Sequence, residues 1–99
     1  MVKHIIIWTL KNDFSNAEKR EAAQKIKSGL EGLSGKIPGM TEVKVSIDLL
    51  PSSSGDVMLD TTFVDEDALK AYQVNPDHVA VATYVRSVVS DRKCVDFEC

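Results

Sequence analysis

Two residues able to handle protons sit close together in the stretch Leu69 to Val89, LKAYQVNPDHVAVATYVRSVV: the phenol of Tyr72 and the imidazole of His78. An imidazole with an unperturbed pKa of about 6.5 suits a general base at neutral pH. A phenol can donate a hydrogen bond to a developing enolate or oxyanion. Together the pair is equipped to enolise a carbonyl compound. The competing reading is structural, with a core histidine satisfied by its neighbours and a tyrosine that fills space while its hydroxyl finds a partner. A cavity reaching both groups separates the readings in favour of chemistry, whereas a filled core favours the second.

The local sequence aims both side chains inward. Asn75 followed by Pro76 is a helix start, with Asn as N-cap and Pro at the first helical position, where its missing N–H is no loss. At about 100° per residue, Val81, Ala82, Val85, Val88 and Val89 form an apolar arc of roughly 120°, and His78 projects near its middle. On the short helix before it, Ala68 and Leu69 set the apolar direction and Tyr72 shares it. A third polar candidate, His4, lies on a strand-like run with Ile6 and Trp8. The expected contact set for a small ligand is therefore His4, Ile6, Trp8, Leu69, Val81 and Ala82 around the Tyr72 and His78 pair. Asp60 is the one carboxylate considered for orienting an imidazole, although an edge or solvent-facing place suits it better.

The remaining elements follow from periodicity and caps. Val2 to Leu10 reads as a strand that is apolar on both faces, with His4, Ile6, Trp8 and Leu10 on one and Ile5 and Ile7 on the other. Ser15 with Glu18 forms a capping box, opening a helix whose apolar positions Ala22, Ala23, Ile26, Leu30 and Leu33 recur at helical spacing, until Gly35 and Pro38 stop it. Val43, Val45, Ile47 and Leu49 alternate with polar residues as a half-buried strand. The tract from Pro51 to Gly55 is a turn, Val57, Leu59 and Phe63 belong to a third strand, and Asp65 caps the helix that carries Tyr72. Arg92 to Phe97 closes the pattern as a last strand.

This order, βαββαβ with the second helical region broken at Asn75-Pro76, predicts an α+β fold of the ferredoxin-like type: an antiparallel sheet with helices on one face. The other sheet face is left bare. Branched aliphatics on that face of the first strand call for a cover, and the simplest is a second copy of the chain, giving a homodimer that buries well over about 1,000 Å² in total.

Composition bounds the function classes. A chain of 99 residues with 43% hydrophobic content suits a single domain over residues 1–99. The net charge of −3 comes from interspersed residues of both signs without a basic stripe, which argues against nucleic acid as a partner. The run Ile5 to Trp8 is far too short to span a membrane, and a strand opening the chain without a signal-peptide pattern leads to the expectation of a cytoplasmic protein. Cys94 and Cys99 lie on one strand with side chains on opposite faces, so both are expected as free thiols. Neither the two histidines nor the two cysteines have metal-ligand spacing, so no metal is expected. There is no G-x-G-x-x-G, Walker A loop or G-x-S-x-G elbow, so any catalysis is expected to need no cofactor.

The opening MVKHIIIWTLK, the KIPGM after the first helix, the segment FVDEDALKAYQVNPDHVAVATYVR and the closing DRKCVDFE resemble, in order and spacing over nearly the whole chain, the stress-responsive α/β-barrel family, or Dabb domain. The resemblance implies a dimeric α/β barrel in which two sheets pack face to face. It leaves the physiological role undefined, since most members have no established activity and are associated with stress responses or metabolic genes. One plant member closes a linear polyketide by aldol condensation without a cofactor; the resemblance puts its catalytic Tyr and His on Tyr72 and His78, and a further pocket His on His4. Two departures stand out. Many relatives have a His where this chain has Asn75, which reads as a helix cap, and Ala22, Ala23 and Ile26 stand where the cyclase has bulky aromatics. Three functions stay open: a homodimeric binder of a small apolar molecule between sheet and helices, a cofactor-independent cyclase or isomerase using Tyr72 and His78, and a cofactor-free monooxygenase of the kind found on related barrels.

Overall fold

The computed structural model describes residues 1–99 as β1 (Val2–Leu10), α1 (Asn16–Glu31), β2 (Met40–Ser46), β3 (Val57–Phe63), α2 (Glu66–Val74), α3 (Pro76–Val88) and β4 (Val89–Glu98). The caps act where their residue types place them. Ser15 and Glu18 close a reciprocal capping box on α1. Asp65 accepts the Ala68 N–H at 2.8 Å to start α2, and Asn75 accepts the Asp77 N–H at 2.9 Å to start α3 with Pro76 at its first position.

The four strands form one antiparallel sheet in the order β2-β3-β1-β4, the ferredoxin-like arrangement. β1 is central, and its alternation decides the layers. Val2, His4, Ile6, Trp8 and Leu10 are buried beneath the helices, while Lys3, Ile5, Ile7 and Thr9 face the other way and are half-covered. The register sets His4 opposite Thr61 on β3 and Asp96 on β4, and Trp8 opposite Val57 and Arg92. On the uncovered face the register joins Ile5 and Ile7 to Met58 on β3 and to Val95 on β4, with Phe97 beside them; Val95 and Phe97 are 58% and 47% exposed. Asp60 lies on this face too, paired with Lys3 at 2.9 Å. No helix is long and apolar enough to cross a membrane.

Two boundaries differ from those expected. β2 ends at Ser46 although the apolar alternation runs on through Ile47 and Leu49, because Asp48 turns into the left-handed region at φ 56° and takes the chain off the ladder. Val89 caps α3 and opens β4, so the helix passes into the strand without a loop. Gly39 is required where it stands: its φ is +80°, and a Cβ there would come within 2.5 Å of the Ala68 Cβ on α2.

In the core, Ile26 on α1, Val45 on β2 and Val57 and Phe63 on β3 are fully enclosed, Phe63 beneath Tyr72 of α2. At the outer edge of β2, the Glu31 carboxylate accepts the Val45 N–H at 2.9 Å, and Lys27 donates to the Val45 carbonyl at 2.7 Å while pairing with Glu31 at 3.0 Å. The hydrogen bond from Val45 is the largest cause holding the Glu31 carboxyl below the usual carboxylate range. Both cysteines are free and exposed.

Candidate functional site

The break between α2 and α3 brings the phenol and the imidazole together. Tyr72 is in the last turn of α2 and His78 in the first turn of α3; Asn75 ends one helix, its N–H donating to the Tyr72 carbonyl at 3.2 Å, and begins the next. The reversal stacks the two rings, with centroids 3.8 Å apart and planes 29° from parallel. Phe63 supports Tyr72 from the sheet at 5.0 Å, and His4 meets the Tyr72 ring edge-on at 6.1 Å. Tyr72 is 1% exposed.

Beside this stack is a cavity of about 200 Å³ between the sheet and α3, lined by His4, Ile6, Trp8, Leu30, Leu59, Tyr72, Gln73, His78, Ala82, Val85, Arg86 and Arg92. His4, Ile6, Trp8, Ala82, Tyr72 and His78 from the expected set therefore share one wall system. Leu69 and Val81 do not. Leu69 is buried in the core one turn before Tyr72, and Val81 faces α1, its Cγ1 only 3.0 Å from where a Cβ on Gly29 would stand. Leu30, Leu59 and Val85 complete the apolar wall. Arg86 and Arg92 lay outside the expected set: Arg86 stands one turn after Ala82 on α3, and Arg92 joins through the β1 to β4 register, in which it falls opposite Trp8.

Burial tunes the pair in complementary directions. It drives the Tyr72 phenol well above its ordinary range, against a smaller opposing pull from Arg92, so the hydroxyl stays protonated as a donor. It pushes His78 below the usual histidine value; the Tyr72 carbonyl opposes this, and the charges of His4, Arg86 and Arg92 reinforce it. His78 is therefore neutral at pH 7, and its Nδ1 is buried without a hydrogen-bond partner.

His4 has a different setting. Its Nδ1 lies 2.5 Å from a carboxylate oxygen of Asp96 and 3.8 Å from the Cys94 sulfur. Asp96 thus orients an imidazole where Asp60 does not, since Asp60 faces the opposite side of the sheet. The ligand atoms of His4, Cys94 and Asp96 all lie within 4.8 Å of one another, and they are of the N, S and O types that bind zinc. Expectations from His–His and Cys–Cys spacing had no way to register this set, because cross-strand pairing creates it. Burial and Asp96 raise the Cys94 thiol, and the charge of Arg92 pulls the other way.

A second depression, of about 330 Å³, opens near the loop after β2 and is lined by Lys19, Arg20, Asp48 and Asp56 among others. It is larger and more open, and its lining holds cations and carboxylates but no histidine. Of the two, only the smaller is lined by an imidazole and a phenol.

Comparison with known families matches residues 2–99 to the stress responsive A/B barrel domain. A dimeric protein of unknown function and ferredoxin-like fold from Bacteroides fragilis is 30% identical, with 99% of this chain and 95% of that chain covered and a TM-score of 0.92. A dimeric ferredoxin-like protein of unknown function from Thermobifida fusca is 23% identical over 99% of this chain and 90% of its own, at a TM-score of 0.83. Hydroxynitrile lyase from Passiflora edulis shares the fold at 18% identity, 97% and 90% coverage and a TM-score of 0.76. No curated protein matches the chain.

Proposed function

Because this chain belongs to the stress-responsive α/β-barrel family, we propose that it works as a homodimer that takes up a small, largely apolar molecule in the cavity between sheet and α3. The observation that carries this reading is the cavity itself: a space of about 200 Å³ with a mainly apolar lining, set against a neutral imidazole and a protonated phenol. Pairing of the uncovered sheet face with a second copy would bury Ile5, Ile7, Met58, Val95 and Phe97, and the dimeric state of the Bacteroides and Thermobifida proteins supports it.

The stacking of His78 on Tyr72 at the cavity wall favours a second step beyond binding. With a carbonyl oxygen accepting from the Tyr72 hydroxyl, neutral His78 takes the proton from the adjacent carbon, and the negative charge moves to the oxygen that Tyr72 holds. Return of that proton to another carbon completes an isomerisation, while attack of the enolate carbon on a second carbonyl in the same molecule, whose oxygen then takes the proton back from His78, gives a cyclisation; neither needs a cofactor. A cavity of this size suits a compact molecule.

The test is a thermal-shift screen of small carbonyl compounds on the wild type and on Ala82→Phe, which fills the cavity. Ligands that raise the melting temperature of the wild type and not of the variant support the reading, and identical behaviour of the two proteins across the screen overturns it. For any binder, solvent deuterium entering the carbon next to the carbonyl reports proton transfer. His78→Ala is expected to slow that exchange by roughly 10²-fold or more, with a smaller loss in Tyr72→Phe. Undiminished exchange in folded His78→Ala removes the assignment.

A further inference from the structure

We infer that the cavity is built for a compact monocarboxylate, an apolar body with a single anionic head held by Arg86 and Arg92. This rests on the cavity reading above and specifies its ligand class. The two arginines come from different elements, Arg86 from α3 and Arg92 from β4, and both line the same cavity. Neither forms an ion pair within the chain. The one side-chain hydrogen bond of Arg86 is a long 3.4 Å contact to the Thr83 hydroxyl. No carboxylate lines the cavity; Asp96, the nearest acid on the same face of β4, is engaged by His4, and Asp91, next to Arg92 in the chain, is paired with Lys93.

The other polar groups agree with this. The Tyr72 hydroxyl is protonated and donates, and neutral His78 brings no negative charge. The lining therefore combines two uncompensated cations and a phenol donor with an apolar wall, so it offers positive potential and donors to an acceptor that the protein does not supply. A guanidinium presents parallel N–H groups that match the two oxygens of a carboxylate. The wall of Ile6, Trp8, Leu59 and Val85 has no use for a bare inorganic anion, whereas an alkyl or aromatic body fills it.

Trp8 is the only tryptophan of the chain and lines the cavity, so its fluorescence is a direct readout. The experiment titrates the protein with hexanoate, hexanol and hexylamine, which share a body and differ in charge, and with inorganic phosphate. Hexanoate is expected to bind about tenfold or more tighter than hexanol, and hexylamine weakest, with the advantage of the acid shrinking as salt rises. In R86Q/R92Q that preference should fall to within about twofold while hexanol binding persists. Both side chains are exposed at the cavity mouth, so the variant should fold, and the single R92Q is expected to show an intermediate preference. Equal affinity for acid and alcohol in the wild type, or an acid preference untouched in R86Q/R92Q, overturns the inference while leaving the cavity reading intact. Phosphate binding as tightly as hexanoate also overturns it, because the apolar body would then contribute nothing. If none of the compounds perturbs Trp8 or the melting temperature, the cavity reading fails and the inference falls with it.

Discussion

The two halves of the helix-covered sheet face are packed on different terms. On the β2 and β3 side of β1, the inward positions Val45, Val57, Leu59, Thr61 and Phe63 are all enclosed, as is Ile26 of α1, and only Val43 is half-buried. At the other side of β1, the inward positions of β4 are Arg92, Cys94, Asp96 and Glu98, and every one is exposed. The helix layer closes over strands whose inward residues are apolar save Thr61, whose hydroxyl donates to the His4 carbonyl at 2.7 Å, and stops short over the strand whose inward residues beyond Val89 are mostly polar. Charged groups in a sealed layer would each cost several kcal/mol unless paired, so a solvent-reaching cleft is the lower-energy solution. The cavity beside Tyr72 and His78 thus follows from the composition of β4 as much as from the two rings.

The largest effect that would sharpen this contrast is a cut in the closed half. Ile26→Ala is expected to cost about 2–5 kcal/mol in denaturant unfolding, because the site has no room to relax, whereas His78→Phe should cost under about 1 kcal/mol or stabilise, since it removes a buried unpaired nitrogen. Similar losses for the two substitutions would break the distinction. Next comes the contrast between the two faces of the sheet. Phe97→Asp should weaken self-association about tenfold or more by light scattering and leave the monomer fold intact by circular dichroism; an unchanged dimer would exclude this face from the interface.

Asn75→Ala tests how tightly the helix break holds the two rings. Loss of the cap should lower stability by about 1 kcal/mol, and loosened stacking should appear as a changed Tyr72 near-ultraviolet signal. Smallest is the pH effect. His78 binds its proton more weakly in the folded chain than in the unfolded one, so its contribution is fully present above about pH 6.5 and is lost as the pH falls below that value, where the unfolded state takes up the proton first. Urea midpoints measured across this window should decline for the wild type and decline less for His78→Gln. Equal slopes would mean that His78 is not the group responsible.

Much of the fold was legible because local signals agreed with one another. The Ser15 capping box, the Asp65 and Asn75 caps and the two faces of β1 each state a boundary or a direction that tertiary packing then obeys. The stacking of Tyr72 on His78 could be anticipated because one helix break positions both. Asp96, Cys94 and Arg92 were out of reach for the opposite reason: they join the site only through the register of β1 on β4, a pairing across nearly the full length of the chain. Val81 was misplaced because periodicity assigns a residue to a helix face without saying which neighbour that face will touch, and α1 approaches closely at Gly29.

The side-chain clasp on β2 bears on how this molecule meets others of its kind. A free strand edge offers unpaired amides and carbonyls on which further strands can be templated, the first step toward fibrils. With Val45 held by Glu31 and Lys27, that template is interrupted near its C-terminal end. The opposite rim at β4 has no such clasp, but its run Asp91, Arg92 and Lys93 puts charge in the path of an incoming strand. Uncontrolled growth is thus opposed by two unlike devices, hydrogen-bond occupancy at one rim and charge at the other.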